Sequence, residues 1–181
     1  MFNRSTLQGA VDLMEFLQAA GVRCVIAGGA PRDLFFGVTP KDVDIVVAGS
    51  DMETVSKLLS KAGADFIPFH LYHDGLTSDR ISGGFKLVGG DIDVVVYDVL
   101  NTSEAIEAFD FNLNQFVLSE TQRGLDEAVI RFIGEDHWTN LVPVRKDFSE
   151  ARHGRMQEKW LDLVWRIDAS TPNQVDLKGR L

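Results

Sequence analysis

A stretch of twenty residues, from 28 to 47, constrains the fold of this chain more than any other part of its sequence. It starts with Gly28-Gly29, directly after an apolar run, and ends as Asp42 and Asp44 enter a second apolar run. Short apolar runs bounded by glycine and aspartate are typical of strands, and the residues between them favour a short helix. The stretch therefore predicts a strand, a helical turn and a second strand, with polar residues at both junctions.

The two aspartates are spaced so that a strand would present them together. Side chains two residues apart on a strand project to the same face, so Asp42 and Asp44 point one way while Val43 points into a core. Adjacent carboxylates repel each other and desolvate poorly unless a cation lies between them. Mg²⁺ suits such oxygen ligands and shares its coordination shell with substrate phosphates. The pair thus indicates a two-metal nucleotidyl-transfer site, in which ions about 3.5–4 Å apart activate a hydroxyl and stabilise the leaving pyrophosphate.

Gly28 and Gly29 predict the phosphate-binding half of such a site. A residue without a Cβ lets backbone N–H groups approach a triphosphate closely, and Arg32 and Lys41 add positive charge nearby. A lone Asp-x-Asp is common on surface strands and a lone Gly-Gly is common in turns, but their joint occurrence is much more specific. The Walker A and dinucleotide-binding patterns are both absent from the sequence.

A third carboxylate is expected on a strand beside Asp44. Gly89-Gly90 separates two strand-like runs and predicts a hairpin. Asp91 and Asp93 follow this turn and share one face of the second run, so both are geometric candidates. Asp91 abuts the turn, where acidic residues are common, whereas Asp93 enters an apolar strand and needs a partner for its charge. Asp93 is therefore the preferred third ligand.

These residues resemble the head domain of class II CCA-adding enzymes and bacterial poly(A) polymerases, which are polymerase-β-type nucleotidyltransferases. The resemblance rests first on residues 28 to 47. Residues 109 to 114 are similar to the family's Arg-Arg-Asp-Phe-Thr-x-Asn segment, and residues 123 to 131 to its Gly-x-x-Asp-Leu-x-x-x-x-Ile-Arg segment. The two segments follow in the family's order, and the resemblance spans residues 20 to 135.

The resemblance implies nucleotidyl transfer from an NTP, with Mg²⁺ or Mn²⁺ bound by the catalytic carboxylates Asp42, Asp44 and Asp93. It implies an α/β fold of the polymerase-β-like kind, with a mixed or largely antiparallel sheet backed by helices on one side. Residues 1 to 140 would form this head domain. Residues 141 to 181 would form a helical, neck-like extension and a polar tail.

The resemblance also implies that Asp110 and Asn114 hold the ribose and orient the nucleotide. This chain departs from the family at the two preceding positions, where Ala108 and Phe109 replace two arginines. The usual phosphate contacts are therefore missing there. The family's base-recognising Glu-Asp-x-x-Arg element has only a loose counterpart in residues 146 to 152.

Local signals divide the chain into alternating helices and strands. Ser5 is predicted to cap the first helix, and Ser50 with Glu53 is predicted to form a capping box. Apolar periodicity predicts a long C-terminal helix over 145–167. Strands are predicted over 22–27, 43–48, 65–71, 84–88 and 91–98.

Composition indicates an ordinary globular protein of 181 residues, with 45% hydrophobic and 25% charged residues. The single cysteine, Cys24, excludes an internal disulfide. Neither a signal peptide nor an apolar stretch of 18 residues is found, so a cytoplasmic location without a membrane partner is expected. The formal net charge of −9 argues against a broad basic surface for nucleic acid.

Three hypotheses about function follow from the sequence. The first is NMP transfer from an NTP to an RNA 3′ end, reached with a partner protein because the resemblance stops before the helical domains that grip tRNA. The second is the same chemistry on a small molecule or a protein. The third is a nucleotide-binding module without catalysis, which the carboxylate cluster disfavours because idle buried charges would only cost stability.

Overall fold

The computed structural model describes residues 1–70 and 79–181, in which eight strands form one mixed sheet flanked by five α-helices. Short 3₁₀ turns occupy Asn112–Asn114, Thr121–Arg123 and Leu125–Glu127. The helices are α1 (Arg4–Ala19), α2 (Gly29–Phe35), α3 (Met52–Lys61), α4 (Thr102–Glu107) and α5 (Glu150–Val164). The strands are β1 (Arg23–Ala27), β2 (Val43–Ala48), β3 (Phe66–His70), β4 (Ile81–Leu87), β5 (Ile92–Tyr97), β6 (Phe116–Ser119), β7 (Val129–Phe132) and β8 (Gln174–Asp176).

The sheet has the order β3-β4-β5-β2-β1-β6-β7-β8. The β2–β5 pair is parallel, and the other six neighbouring pairs are antiparallel. The hairpin expected at Gly89-Gly90 joins β4 to β5. The mixed α/β sheet predicted from the sequence is thus confirmed. The strand predicted over 65–71 corresponds to β3, although its last residue lies outside the described residues.

Helices cover both faces of the sheet, which corrects the expectation of helices on one side. Side chains alternate along β1 and β2, so Ile26 and Ile45 join a large core under α1, while Ala27 and Val46 face the other way. On that second face α4 packs against β1 and β2 and contributes the buried Ile106 to a smaller apolar cluster. Both faces of the central strands are apolar because both are covered.

Helix starts differ from those predicted. The first helix is capped by Asn3, whose Oδ1 accepts the N–H of Thr6 at 3.0 Å, and not by Ser5. Asp51, and not Ser50, caps α3 by accepting the N–H of Thr54 at 2.7 Å. In both cases a longer-reaching Asn or Asp side chain is available near the predicted serine. The helix expected over 145–167 is shorter, since α5 spans Glu150–Val164.

The segment predicted as a polar tail contributes to the sheet. Residues 174–176 form β8, which pairs antiparallel with β7 at the edge. Leu177 is buried, and Nη1 of Arg180 donates a hydrogen bond to the carbonyl of Phe35 at 2.9 Å. Within the described residues, none of the helices combines the length and the apolar character that crossing a membrane requires.

We expect Gly28→Ala to lower the free energy of unfolding by about 1–3 kcal/mol. Gly28 has φ +92° and ψ −131°, a backbone conformation that a residue with a Cβ rarely adopts. Gly29→Ala is the matched control, because Gly29 is helical and the nearest atom beyond its neighbours is 3.6 Å from an added Cβ. Urea unfolding of both variants measures the difference. Equal losses of stability in the two variants would show that an alanine at position 28 adds no backbone strain.

Candidate active site

A cleft of about 400 Å³ opens on the face of the sheet that carries α4. It lies where β1 ends and α2 begins, next to the middle of β2 and β5. Six of the residues singled out in the sequence line it, namely Gly28, Gly29, Arg32, Asp44, Asp110 and Asn114.

The parallel pairing of β2 with β5 places two of the predicted metal ligands side by side. Asp44 and Asp93 are direct partners in this register, so their side chains share a face of the sheet. Asp42 lies just before β2 and is exposed. Asp91, the alternative to Asp93, instead lies 3.5 Å from the N-terminal amine of Met1, measured from its Oδ2.

The carboxylates act on one another electrostatically. Burial, followed by the charges of Asp42 and Asp93, raises the pKa of Asp44 from its ordinary value of 3.8 to about 7. The positive charges of Lys86 and Arg32 act in the opposite direction on the same pKa. At neutral pH a substantial fraction of Asp44 is therefore protonated unless a cation is bound nearby.

Lys86 is a site residue that the sequence reasoning missed. Its Nζ donates hydrogen bonds to both oxygens of Asp93, at 3.0 and 3.1 Å. The hydrogen bond to Asp93 and then its charge raise the pKa of Lys86. The signal was available, because a two-residue turn at Gly89-Gly90 sets Lys86 opposite Asp93, and this register is the one observed.

The donor atoms suit a hard divalent cation, although they are not gathered around a common point. Among residues 1–70 and 79–181, no group of three or more His, Cys, Asp and Glu side chains is arranged to hold a metal ion. Asp42, Asp44 and Asp93 nevertheless offer only carboxylate oxygens, the ligands that Mg²⁺ and Mn²⁺ favour. A cation would also offset the burial, and the repulsion from Asp42 and Asp93, that raise the pKa of Asp44. The residues therefore fit such an ion in chemistry.

The two glycines contribute differently to the cleft. The N–H of Gly28 already donates to the carbonyl of Phe116 at 2.9 Å, so Gly28 supplies a backbone conformation and not the phosphate donor expected from the sequence. Gly29 begins α2 beside the guanidinium of Arg32. Lys41 is exposed in the loop before β2 and is not part of the lining of the cleft.

Arg32 is held in place by a buried polar network. Asp33 accepts hydrogen bonds from its guanidinium at 2.7 and 2.8 Å, and the Oδ1 of Asn114 accepts another from Nη1 at 2.6 Å. The amide nitrogen of Asn114 in turn donates to Asp110 at 3.1 Å. Asn114 is buried and uses both ends of its amide inside the protein. The structure thus gives Asn114 the role of orienting Arg32.

Asp110 ties this network to α5. Nε of Arg152 lies 2.7 Å from its Oδ2. Burial alone would raise the pKa of Asp110, but the hydrogen bond and charge of Arg152, with a further hydrogen bond from Asn114, lower the pKa below its ordinary value. Asp110 is therefore a charged anchor between α5 and the wall of the cleft.

Two arginines from the C-terminal segment line the cleft beside Ala108 and Phe109. They are Arg145, whose Nε lies 3.2 Å from Oδ1 of Asp147, and Arg152. They bring two positive charges to the part of the cleft that Ala108 and Phe109 line. No local pattern points to Arg145, since only the tertiary fold brings it to the cleft.

Comparison with known proteins places this site in context. The chain is 49% identical over 45 residues to the CC-adding tRNA nucleotidyltransferase of Deinococcus radiodurans, a match covering 25% of this chain and 12% of that protein. No family model matches the chain. The chain spans about an eighth of the length of this relative.

Solved structures of tRNA-processing enzymes are also similar. The apo form of a CCA-adding enzyme aligns with a TM-score of 0.49 and 19% identity, over 67% of this chain and 28% of that one. A tRNA nucleotidyltransferase complexed with a primer tRNA and an incoming ATP analog aligns with a TM-score of 0.42 and 22% identity, over 61% of this chain and 32% of that one. The chain thus resembles a CCA-adding-type tRNA nucleotidyltransferase in sequence, over the 45 residues of that match.

We expect Asp44→Asn to change how stability depends on pH. Between about pH 4 and pH 7 the folded protein keeps a proton on Asp44 that the unfolded chain has lost, so the free energy of unfolding falls as pH rises. The variant lacks this contribution, and its stability relative to the wild type should rise by about 1–4 kcal/mol across that window. Urea unfolding at four pH values without divalent cations measures this gain. Asp12→Asn, on the exposed face of α1, is the control. Parallel curves of unfolding free energy against pH for Asp44→Asn and the wild type would contradict the raised pKa of Asp44.

We expect Asn114→Ala to lower the free energy of unfolding by about 1–3 kcal/mol, because it leaves Arg32 and Asp110 with an unmatched donor and acceptor. Asn101→Ala is the matched control. Its amide makes an exposed hydrogen bond to Glu104 and no capping bond to the backbone of α4. Thermal or urea unfolding compares the two variants. Similar losses would mean that the buried network contributes little to stability.

Proposed function

We propose that this chain is a metal-dependent nucleotidyltransferase that moves an NMP from an NTP to an acceptor hydroxyl at an RNA 3′ end. The observation that carries the proposal is the pairing of Asp44 with Asp93 in register on adjacent strands, beside a cleft that contains Arg32. The 49% identity over 45 residues to a CC-adding tRNA nucleotidyltransferase supports the same chemistry.

The cleft contains cationic and aromatic side chains that support its assignment to a nucleoside triphosphate. Arg32, with its guanidinium fixed by Asp33 and Asn114, offers donors to phosphate oxygens. Phe109 and Tyr97 form an aromatic wall, with ring centroids 6.3 Å apart, against which a nucleobase can pack. We assign the triphosphate to the end near Arg32 and the base to the end near Phe109.

The reaction forms a bond between the acceptor oxygen and the α-phosphorus of the NTP, while the bond from that phosphorus to pyrophosphate breaks. Mg²⁺ or Mn²⁺ held by Asp42, Asp44 and Asp93 would supply Lewis-acid activation of the hydroxyl and charge neutralisation at the phosphates. Arg32 neutralises part of the triphosphate charge and holds the NTP in line. Its fixed orientation means that little side-chain entropy is lost when the nucleotide binds.

A hydroxyl on a small molecule or a protein is the second candidate acceptor. The formal net charge of −9 favours it, because phosphate contacts with basic residues supply most of the sequence-independent affinity for RNA. RNA remains the first candidate because the chain's 45-residue match is to an enzyme named for tRNA.

We expect labelled NMP to be transferred from ATP or CTP when the chain is incubated with Mg²⁺ or Mn²⁺ and tRNA that lacks its 3′ end. Parallel reactions contain metabolite or protein pools in place of tRNA. Asp44→Asn should lower the rate by about a hundredfold or more, since it removes one of the carboxylates proposed to hold the metal ion. Asp12→Asn lies on the opposite face and serves as the matched control. Transfer that persists in Asp44→Asn would refute the assignment, and absence of transfer to any acceptor would favour a binding module.

A further inference from the structure

Three neighbouring strands place a lysine and two aspartates in a row across the sheet. Lys86 on β4 is the direct partner of Asp93 on β5, and Asp93 is the direct partner of Asp44 on β2. Directly paired residues point to the same face. Asp93 therefore has a cation on one side and a second carboxylate on the other.

The ion pair between Lys86 and Asp93 is unequal in solvent exposure. The Lys86 side chain is 63% exposed, whereas that of Asp93 is 16% exposed. Asp93 is thus the partner that needs a compensating charge, and Lys86 can leave for solvent at small cost. Both oxygens of Asp93 accept hydrogen bonds from the same ammonium group.

From this arrangement we propose that Lys86 is an internal competitor of the divalent cation, which occupies Asp93 in the metal-free protein and is displaced when the ion binds. The proposal rests on the proposed function, since that function brings a cation to Asp44 and Asp93. Lys86 is accordingly a positioning residue: it neutralises the carboxylates at rest and sets how strongly the site takes up an ion.

The competition predicts a gain in metal affinity when the lysine charge is removed. An ammonium beside a cation site repels the ion, and displacing it from Asp93 also breaks two hydrogen bonds. We expect Lys86→Gln and Lys86→Met to bind Mn²⁺ about tenfold more tightly than the wild type. Lys86→Arg keeps the charge and should bind Mn²⁺ no more tightly than the wild type.

The experiment titrates the purified chain with Mn²⁺ alone at pH 8 and follows free Mn²⁺ by electron paramagnetic resonance. The control is Lys57→Gln, which breaks an exposed pair with Glu53 on α3, where Nζ and Oε1 are 2.6 Å apart. This control should leave Mn²⁺ affinity unchanged. Asp44→Asn should abolish Mn²⁺ binding at the site, so the binding that this variant loses is the binding that belongs to the site.

The outcomes separate this proposal from the proposed function. Tighter Mn²⁺ binding by Lys86→Gln and Lys86→Met, with Lys86→Arg and Lys57→Gln unchanged, supports competition. Equal or weaker binding by both charge-removing variants, with Asp44-dependent binding in the wild type, overturns the role of Lys86 and leaves the metal site intact. Lack of Asp44-dependent Mn²⁺ binding in every variant overturns both.

Discussion

The parallel pairing of β2 with β5 is the constraint on which the rest of the site depends. Five successive residue pairs, from Val43↔Ile92 to Val47↔Val96, fix its register. Alternate residues on one face of both strands are apolar and buried. A slip of either strand by one residue would turn its apolar side chains outward and carry its aspartate, Asp44 or Asp93, into the core. Burial of valines and isoleucines on one side of the strands thereby sets the positions of the carboxylates on the other. The stability of the core and the geometry of the site cannot be changed independently here.

Sequence patterns predicted where candidate residues lie when their position depends on local spacing. The hairpin at Gly89-Gly90 predicts a strand carrying Asp93 beside Asp44, and the register of β2 with β5 pairs the two residues. Metal binding by Asp42, Asp44 and Asp93 stays a prediction. The same hairpin fixes Lys86 opposite Asp93, so this residue was predictable in principle once the register was written out. The helix caps were misplaced because several capping residues occur within three positions of one another, and local propensity alone does not choose among them.

Features that depend on tertiary packing were not predictable in this way. The position of α4 on the second face follows from which side of β1 and β2 it covers, and a six-residue helix has too short an apolar pattern to show this. Arg145 reaches the cleft from a segment without regular structure, and β8 pairs at the sheet edge although its sequence is polar. Edge strands need only backbone hydrogen bonds on one side, so their side chains carry little signal.

The polar network that ends at α5 joins three separate segments of the sequence, which carry Arg32, Asp110 with Asn114, and Arg152, into one wall of the cleft. Arg152 contacts Asp110, Asp110 contacts Asn114, and Asn114 contacts Arg32, with every link between charged or amide groups. Lys159, about two turns further along α5 than Arg152, lies 3.9 Å from Asp33, the second partner of Arg32. Both partners of Arg32 are thus bound to α5, directly or through one intermediate. Displacement of α5 would take a cationic partner away from Asp110 and from Asp33. Because Asp33 accepts from Arg32 directly and Asp110 holds Asn114, the helix helps to keep both acceptors of Arg32 in place.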